Sequence, residues 1–482
     1  MSMELLVHVD FKGLPLAPAY LCARLAELRA AGATGVLLEW EDMLPWSGAL
    51  RALARPGGAA YSAAEVEQVL ACAAVLGLEV VPLVQTLGHL EFALQDGRGF
   101  AHLREDSADF GTICPVHEGT APLLQRMLAQ VLAAHPACAR VHIGCDEPAS
   151  LGASALTAAA VAAAPPAGGT AALLVSHVAR VAAAARTLGR QRQPQPPPQP
   201  PRAELSVLMW HDAAVGMSPA CLQRLLSVPG LELVVWDYGP ALSDVTRAFV
   251  PRLRAAGARF HTATAFKGGD ACDALVPCAA ARDANQSAWR ELLLPPLPPP
   301  PPPLGSPLAG RPLGEGCPAA AREAAGAVVL TGWSRFGHLL PLTESWPAGM
   351  PSLLRAMAVW TGGGAAAADE AVCGWRERDA AGAAAHDAAV ALEALAVDVT
   401  AFAEDFRTHV PPATARRPAP AYLKAARVRR AALGARLAAC GSACEASVGG
   451  GAIFRCDEDE WLAAKLGAVE STLERSLLAL SE

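Results

Sequence analysis

The sequence predicts an α/β protein, a (β/α)8 TIM barrel followed by a helical C-terminal region, with proline-rich insertions. Three observations carry that prediction. Apolar runs rich in Val, Ile and Leu recur eight times before residue 340. A stretch with helical periodicity accompanies each of them. No glycine-rich phosphate loop follows the first run, which disfavours the alternative, a doubly wound open sheet.

In chain order the expected strands are 5–11 (LLVHVDF), 35–41 (GVLLEWE), 79–86 (EVVPLVQT) and 140–147 (RVHIGCDE), then 204–212 (ELSVLMWHD), 231–238 (LELVVWDY), 259–268 (RFHTATAFKG) and 327–336 (AVVLTGWSRF). Helical patterns lie near 18–31, 62–76, 120–134, 171–188, 218–227, 243–256, 278–293 and 351–360. These units define a barrel over 1–364. Beyond Gly362-Gly363-Gly364 no strand pattern recurs, and 365–482 reads as a helical C-terminal domain with helices near 384–406, 419–440 and 457–480. Two low-complexity tracts interrupt the barrel at about 190–202 (including QPPPQPP) and 295–325 (opening PPLPPPPPP). Polyproline cannot join helix or sheet hydrogen bonding, so both are expected as exposed extended insertions opposite the active-site face.

Composition narrows the class. A net charge of −7 without a basic run implies neither nucleic acid nor membrane as a partner. The amino terminus runs straight into a strand pattern without a leader signature, and no segment of about 18 strongly apolar residues stands out. The 13 cysteines are scattered without zinc-ligand spacing, so reduced, mostly buried thiols are expected. The expected address is cytoplasmic, with the nucleus open. No cofactor and no metal are expected.

In a barrel, catalysis sits at the carboxyl ends of the strands. Those ends carry Asp10 and Lys12, Glu39 and Glu41, His89, Asp146-Glu147, Trp210 to Asp212, Trp236 to Tyr238, Lys267, and Trp333 with Glu344 beyond. The fourth is the most informative. Alternation along 140–147 places His142, Gly144 and Asp146 on one face, and Glu147 at the strand's end. Buried carboxylates are costly unless paired. Two of them side by side suit chemistry in which one delivers a proton while the other stays ionised. Trp210, Trp236 and Trp333 offer flat faces for the C–H surface of a sugar ring.

The motifs VDFKG (9–13), LLEWEDMLPW (37–46), PLVQTLGHLEFAL (82–94), HLRE (102–105), VHIGCDE (141–147), WDY (236–238), AFKG (265–268) and LTGW (330–333) span all eight predicted strands. Together they resemble the family 20 glycoside hydrolases, the β-N-acetylhexosaminidases, and within them the hexosaminidase D branch. The resemblance implies an exo-acting, retaining, substrate-assisted hydrolase of terminal β-linked GlcNAc or GalNAc. Glu147 would be the general acid and base, and the substrate's own 2-acetamido oxygen the nucleophile. Asp146 would orient the acetamido group, and Tyr238 would donate to its carbonyl. Trp210, Trp236 and Trp333 would wall the sugar. His89, Asp212, Glu344, Asp10, Lys12, Lys267 and His142 would contact it, with a structural role the alternative for each.

The partner so implied is an N-acetylhexosamine-bearing glycoconjugate or oligosaccharide; a homodimer is left open. Two departures stand out. No early-barrel arginine matches the one many relatives use for sugar hydroxyls, Asp10 and Lys12 standing there instead. Pro148 is expected to hold Glu147 in extended backbone. Two other readings stay open. One is a barrel glycosidase pairing Glu147 with a second enzyme carboxylate, Glu39, Glu41 or Asp237. The other is an inactive sugar-binding or scaffold protein.

Overall fold

The computed structural model describes residues 3–13, 15–163, 168–192, 204–272, 274–294, 325–409, 420–448 and 458–481. The expected insertion tracts fall almost wholly outside these residues. Eight parallel strands pair in chain order and close into a barrel: β1 (Leu5–Asp10), β2 (Gly35–Glu39), β3 (Glu79–Leu83), β4 (Arg140–His142), β5 (Ser206–Trp210), β6 (Leu231–Trp236), β7 (Phe260–Lys267) and β8 (Ala325–Gly332). Closure comes from β1 pairing with β8, Leu5 opposite Val328.

Alternation sorts the side chains of each strand between two cores. Val7, Val36, Val141, Val207, Leu233 and Val328 face the surrounding helices. Leu6, Leu37, Val81, Leu208, Val234, Ala263 and Val329 fill the barrel, with Trp210, Trp236 and Trp333 above them. Inward positions nearer the mouth turn polar, beginning with His8, Glu39 and His142, all fully buried.

Local signals start and stop the helices. Ser62 forms a capping box with Glu65 ahead of Ala63–Val75. Ser218, Ser243 and Ser345 cap Pro219–Leu226, Asp244–Ala255 and Trp346–Thr361, each a cap worth about 1 kcal/mol. The last of these begins before the expected 351 and takes Pro351 into its interior. It ends at Gly362, whose φ of 84° is the left-handed stop that glycine supplies.

Helices Ala365–Arg378, Ala380–His409, Pro420–Val448 and Glu458–Ser481 follow; the first was not anticipated. Asp379, at the joint between the first two, is buried and ties them to the barrel. It accepts from Tyr20 Oη (2.8 Å) and Trp375 Nε1 (3.1 Å) and pairs with Arg24 of the first barrel helix, Pro18–Ala30. Lys465 Nζ donates to the carbonyl of Ala274 in the loop after β7 (2.9 Å), so the last helix braces a loop on the mouth side.

Two composition-based expectations change. Helices Gly169–Gln191 and Ala380–Glu404 are long and apolar enough to cross a membrane by length and composition. The first packs on Thr120–Ala134 and the helix containing the second packs on Trp346–Thr361. Ten of the described cysteines are free thiols, and of these only Cys114, Cys138, Cys145 and Cys221 are buried.

Candidate active site

The acid pair rests on a strained turn rather than on a strand. Regular β4 stops at His142, although Ile143 N–H still donates to Leu208 O (2.8 Å) and Gly144 O still accepts from Trp210 N–H (3.0 Å). The backbone then turns left-handed at Gly144 (φ 64°), Cys145 (φ 68°) and Glu147 (φ 44°). This corrects the extended strand to 147 and the extended Glu147 expected from Pro148. Non-glycine residues held there cost roughly 1–3 kcal/mol each, so the surroundings must enforce the shape. A Cβ at Gly144 would lie 1.8 Å from Gln85 Oε1, and one at Gly88 would lie 1.9 Å from the Asp146 carbonyl oxygen. Both positions therefore need glycine. Thr86 Oγ1 donates to Ile143 O (2.6 Å), Gly144 N–H donates to His142 Nδ1 (3.0 Å), and Glu147 N–H donates to Asp212 Oδ2 (2.8 Å).

The turn places both acids on a cavity of about 230 Å³ at the mouth. Lys12, His89, Asp146, Glu147, Trp210, Trp236, Tyr238 and Trp333 line it, eight of the residues expected from the sequence. Trp236 stacks on Tyr238 at 5.2 Å between ring centres, and Trp210 meets Trp333 at 5.8 Å. Trp333 Nε1 donates to Tyr238 Oη (3.0 Å), and Thr331 is a second hydrogen-bond partner of that phenol.

His89 links the two acids. Its Nε2 lies 3.5 Å from Asp146 Oδ2 and 3.3 Å from Glu147 Oε2. Burial opposes a charge on this ring, but Asp146 and the hydrogen bond to Glu147 prevail and raise it to about 10. Burial raises Asp146 to about 7, against the pull of His89 and with Asp212 and Glu39 adding to the rise. Glu147, half exposed, is lowered by its hydrogen bond to His89. The Asp146 Oδ1 atom is buried without a partner. Burial also pushes the Tyr238 phenol up, so it remains a donor.

These shifts carry a stability prediction. A His89 raised from its unfolded value stabilises fully below about pH 6.5, and the contribution is lost as pH climbs through about 10. Unfolding free energy from denaturant titration should therefore fall between pH 7 and 10, and His89→Gln should flatten that fall. An unaltered slope in the variant would contradict the assignment.

Five expected residues stand behind the cavity instead of lining it. Asp212 holds Glu147 N–H with one oxygen and accepts from Trp236 Nε1 with the other (3.1 Å). Asp10 accepts from the N–H of Lys12 (2.8 Å) and pins the β8 loop by accepting from Ser334 N–H (2.8 Å). Lys267 donates to the Trp333 carbonyl (2.6 Å) and is lowered to about 8 by burial. Glu344 accepts from Gly268 N–H (2.8 Å). His142 packs under Trp210 at 4.4 Å, neutral because burial lowers it to about 3. Each places a lining group without reaching the cavity itself.

The sequence reading missed Gly268, Gly269, Asp270, Arg335 and Phe336, which also line the cavity. Asp270 lies just past the seventh strand, where a wider window would have found it, whereas Arg335 fell inside the expected eighth strand and was not singled out there. The alternative second carboxylates are occupied. Asp237 accepts from Ser243 and Thr246 at a helix start (2.8 and 2.7 Å). Glu39 is buried against His8 (3.0 Å), Gln85 (3.2 Å) and Lys12 (3.7 Å), and Glu41 against His338 and Lys12. Among the described residues no group of three or more His, Cys, Asp or Glu is arranged to hold a metal ion.

No protein-family model matches the sequence. Hexosaminidase D of Bos taurus is 34% identical over 350 residues, covering 72% of this chain and 89% of the bovine protein. The chain belongs to the hexosaminidase D family. Human hexosaminidase D is 33% identical over 362 residues, 74% of this chain, and the match spans 66% of the human protein, just under two thirds. Among solved structures, the Flavobacterium johnsoniae chitobiase (GH20) superposes with a TM-score of 0.55 at 13% identity, covering all of this chain and 72% of that one. An inactive variant of the GH20 exo-β-N-acetylglucosaminidase of Vibrio harveyi gives 0.50 at 14% identity, over 78% and 57% of the two chains. At such identities the structural likeness speaks for the barrel alone. The hexosaminidase D relationship rests on sequence, over about three quarters of this chain.

Proposed function

We propose that this chain is an exo-acting β-N-acetylhexosaminidase that releases terminal β-linked GlcNAc or GalNAc by a retaining, substrate-assisted route. One observation carries the reading: Asp146 and Glu147 meet on a small cavity walled by Trp210, Trp236, Trp333 and Tyr238. At about 230 Å³ the cavity is smaller than the ~300–1,000 Å³ that drug-sized ligands occupy, which suits a single terminal sugar. The indoles pack on the sugar and exclude water. The acetamido oxygen attacks the anomeric carbon from within the same molecule, gaining from proximity. Asp146 accepts the acetamido N–H and stabilises the cation that develops, and Tyr238 donates to the acetamido carbonyl. Glu147 protonates the departing oxygen, then takes a proton from the attacking water.

The resting ionisation is the reverse of what this needs, since Asp146 is raised and Glu147 lowered. Substrate reverses it. An acetamido N–H donated to Asp146 favours its charged form, while a leaving group covering half-exposed Glu147 removes water and favours its neutral form. His89, in contact with both, lies on the route by which the proton is exchanged.

Turnover of aryl β-GlcNAc and β-GalNAc substrates by the purified chain is the direct test. Release of phenol from either is expected. Sugar binding without release would favour an inactive sugar-binding protein.

A further inference from the structure

We propose that the larger cavity on the outer side of Glu147 is a subsite for an aliphatic aglycone, so that the sugar is removed from an alkyl or lipid-type alcohol. The inference rests on the hexosaminidase reading and extends it to the leaving group. The cavity, about 710 Å³, shares His89, Glu147 and Phe336 with the sugar cavity. Glu147 therefore stands between the two. The acid that protonates a glycosidic oxygen must lie beside the bond being broken, so the group bonded to that oxygen extends past Glu147 into this second space.

One wall of it, the turn after β8, is apolar, while Glu91, Asp109 and Thr112 belong to the opposite side. Phe336, Leu339 and Leu340 are 37%, 61% and 46% exposed and fall within one five-residue turn after β8. The other large exposed apolar side chains, such as Val75 and Leu156, are scattered along the chain. Exposed apolar clusters of this kind mark binding surfaces. Leucines give a sugar neither a ring face nor hydrogen bonds, whereas they bury alkyl chains well. The turn is also held in place. Thr343 N–H donates to Ser334 O (2.9 Å), Leu340 N–H donates to Gly337 O (3.0 Å), and Arg335 Nη1 donates to Leu340 O (2.8 Å). His338, within the same turn, is buried against Glu41. On the facing segment Asp109 Oδ1 accepts two backbone N–H groups, and Asp109 Oδ2 and Glu91 Oε2 are out of solvent's reach. Those three oxygens are thus spent or hidden rather than presented to a second sugar.

The test compares methyl, butyl and octyl N-acetyl-β-hexosaminides with N,N′-diacetylchitobiose, using the wild type and Leu339→Ser/Leu340→Ser. In the wild type kcat/KM should rise at least about tenfold from methyl to octyl, as burial of about two methylenes would give. The octyl-to-methyl ratio should fall towards one in the double variant. Because each ratio is taken within one preparation, partial misfolding does not affect it. A flat ratio in the wild type, a ratio unchanged by the substitutions, or a preference for chitobiose over the octyl glycoside would overturn the aglycone assignment while leaving the hexosaminidase reading intact. No hydrolysis of any of the four would overturn both.

Discussion

Glu147→Gln should lower kcat on an aryl N-acetyl-β-hexosaminide by about 10²–10⁴, the range for loss of a positioned general acid. The loss should be larger on a methyl glycoside, whose leaving group depends more on the proton. Stability should hardly change. The side chain is 59% exposed and hydrogen-bonds to His89, while the strained backbone is held by an N–H that glutamine keeps. A melting curve together with steady-state rates on both substrates separates the two effects. Equal rates for variant and wild type would remove Glu147 from the reaction.

Asp146→Asn makes the opposite trade. The carboxylate is buried, raised to about 7, and carries an oxygen without a partner. Replacing it with a neutral isostere relieves that burial and should leave unfolding free energy equal or higher above pH 7, where the native Asp146 is ionised. Activity should nevertheless fall by about 10²–10³, comparable to loss of one preorganised group facing transition-state charge. The asparagine can still take one hydrogen bond but no longer opposes a positive charge. Loss of the carboxylate also removes the main support of the charged His89. Unimpaired kcat in this variant, measured alongside its denaturation midpoint, would break the link between Asp146 and the developing cation.

Much of this was legible in the sequence because each barrel strand is short, apolar and followed by a helix. Every expected strand is present, and most end one to three residues early, where the chain leaves the ladder to carry polar groups. The eighth ends four residues early and the fourth five, and the fourth is the more instructive. RVHIGCDE reads as one strand because Val141, Ile143 and Cys145 alternate with His142, Gly144 and Asp146. Only three of those residues are strand, because positive φ at Gly144, Cys145 and Glu147 is enforced by contacts from distant segments. Gln85, Gly88 and Asp212 supply those contacts, and no local pattern reveals them.

Strand-end position located the cavity but did not separate residues that line it from those behind it. Lys267 and Glu344 share the rim by sequence, yet their side chains are spent on Trp333 O and Gly268 N–H. Asp270 was overlooked because it lies in a loop, where propensity says little about direction.

The identity of the nucleophile is the central claim, and fluorination of the substrate tests it most directly. A series of aryl glycosides bearing N-acetyl, N-fluoroacetyl, N-difluoroacetyl and N-trifluoroacetyl groups withdraws electron density stepwise from the amide oxygen while leaving the bond to be broken unchanged. If that oxygen attacks the anomeric carbon, kcat/KM should fall steeply with each added fluorine. A rate indifferent to fluorination would contradict the account and give the nucleophile's role to a carboxylate of the protein.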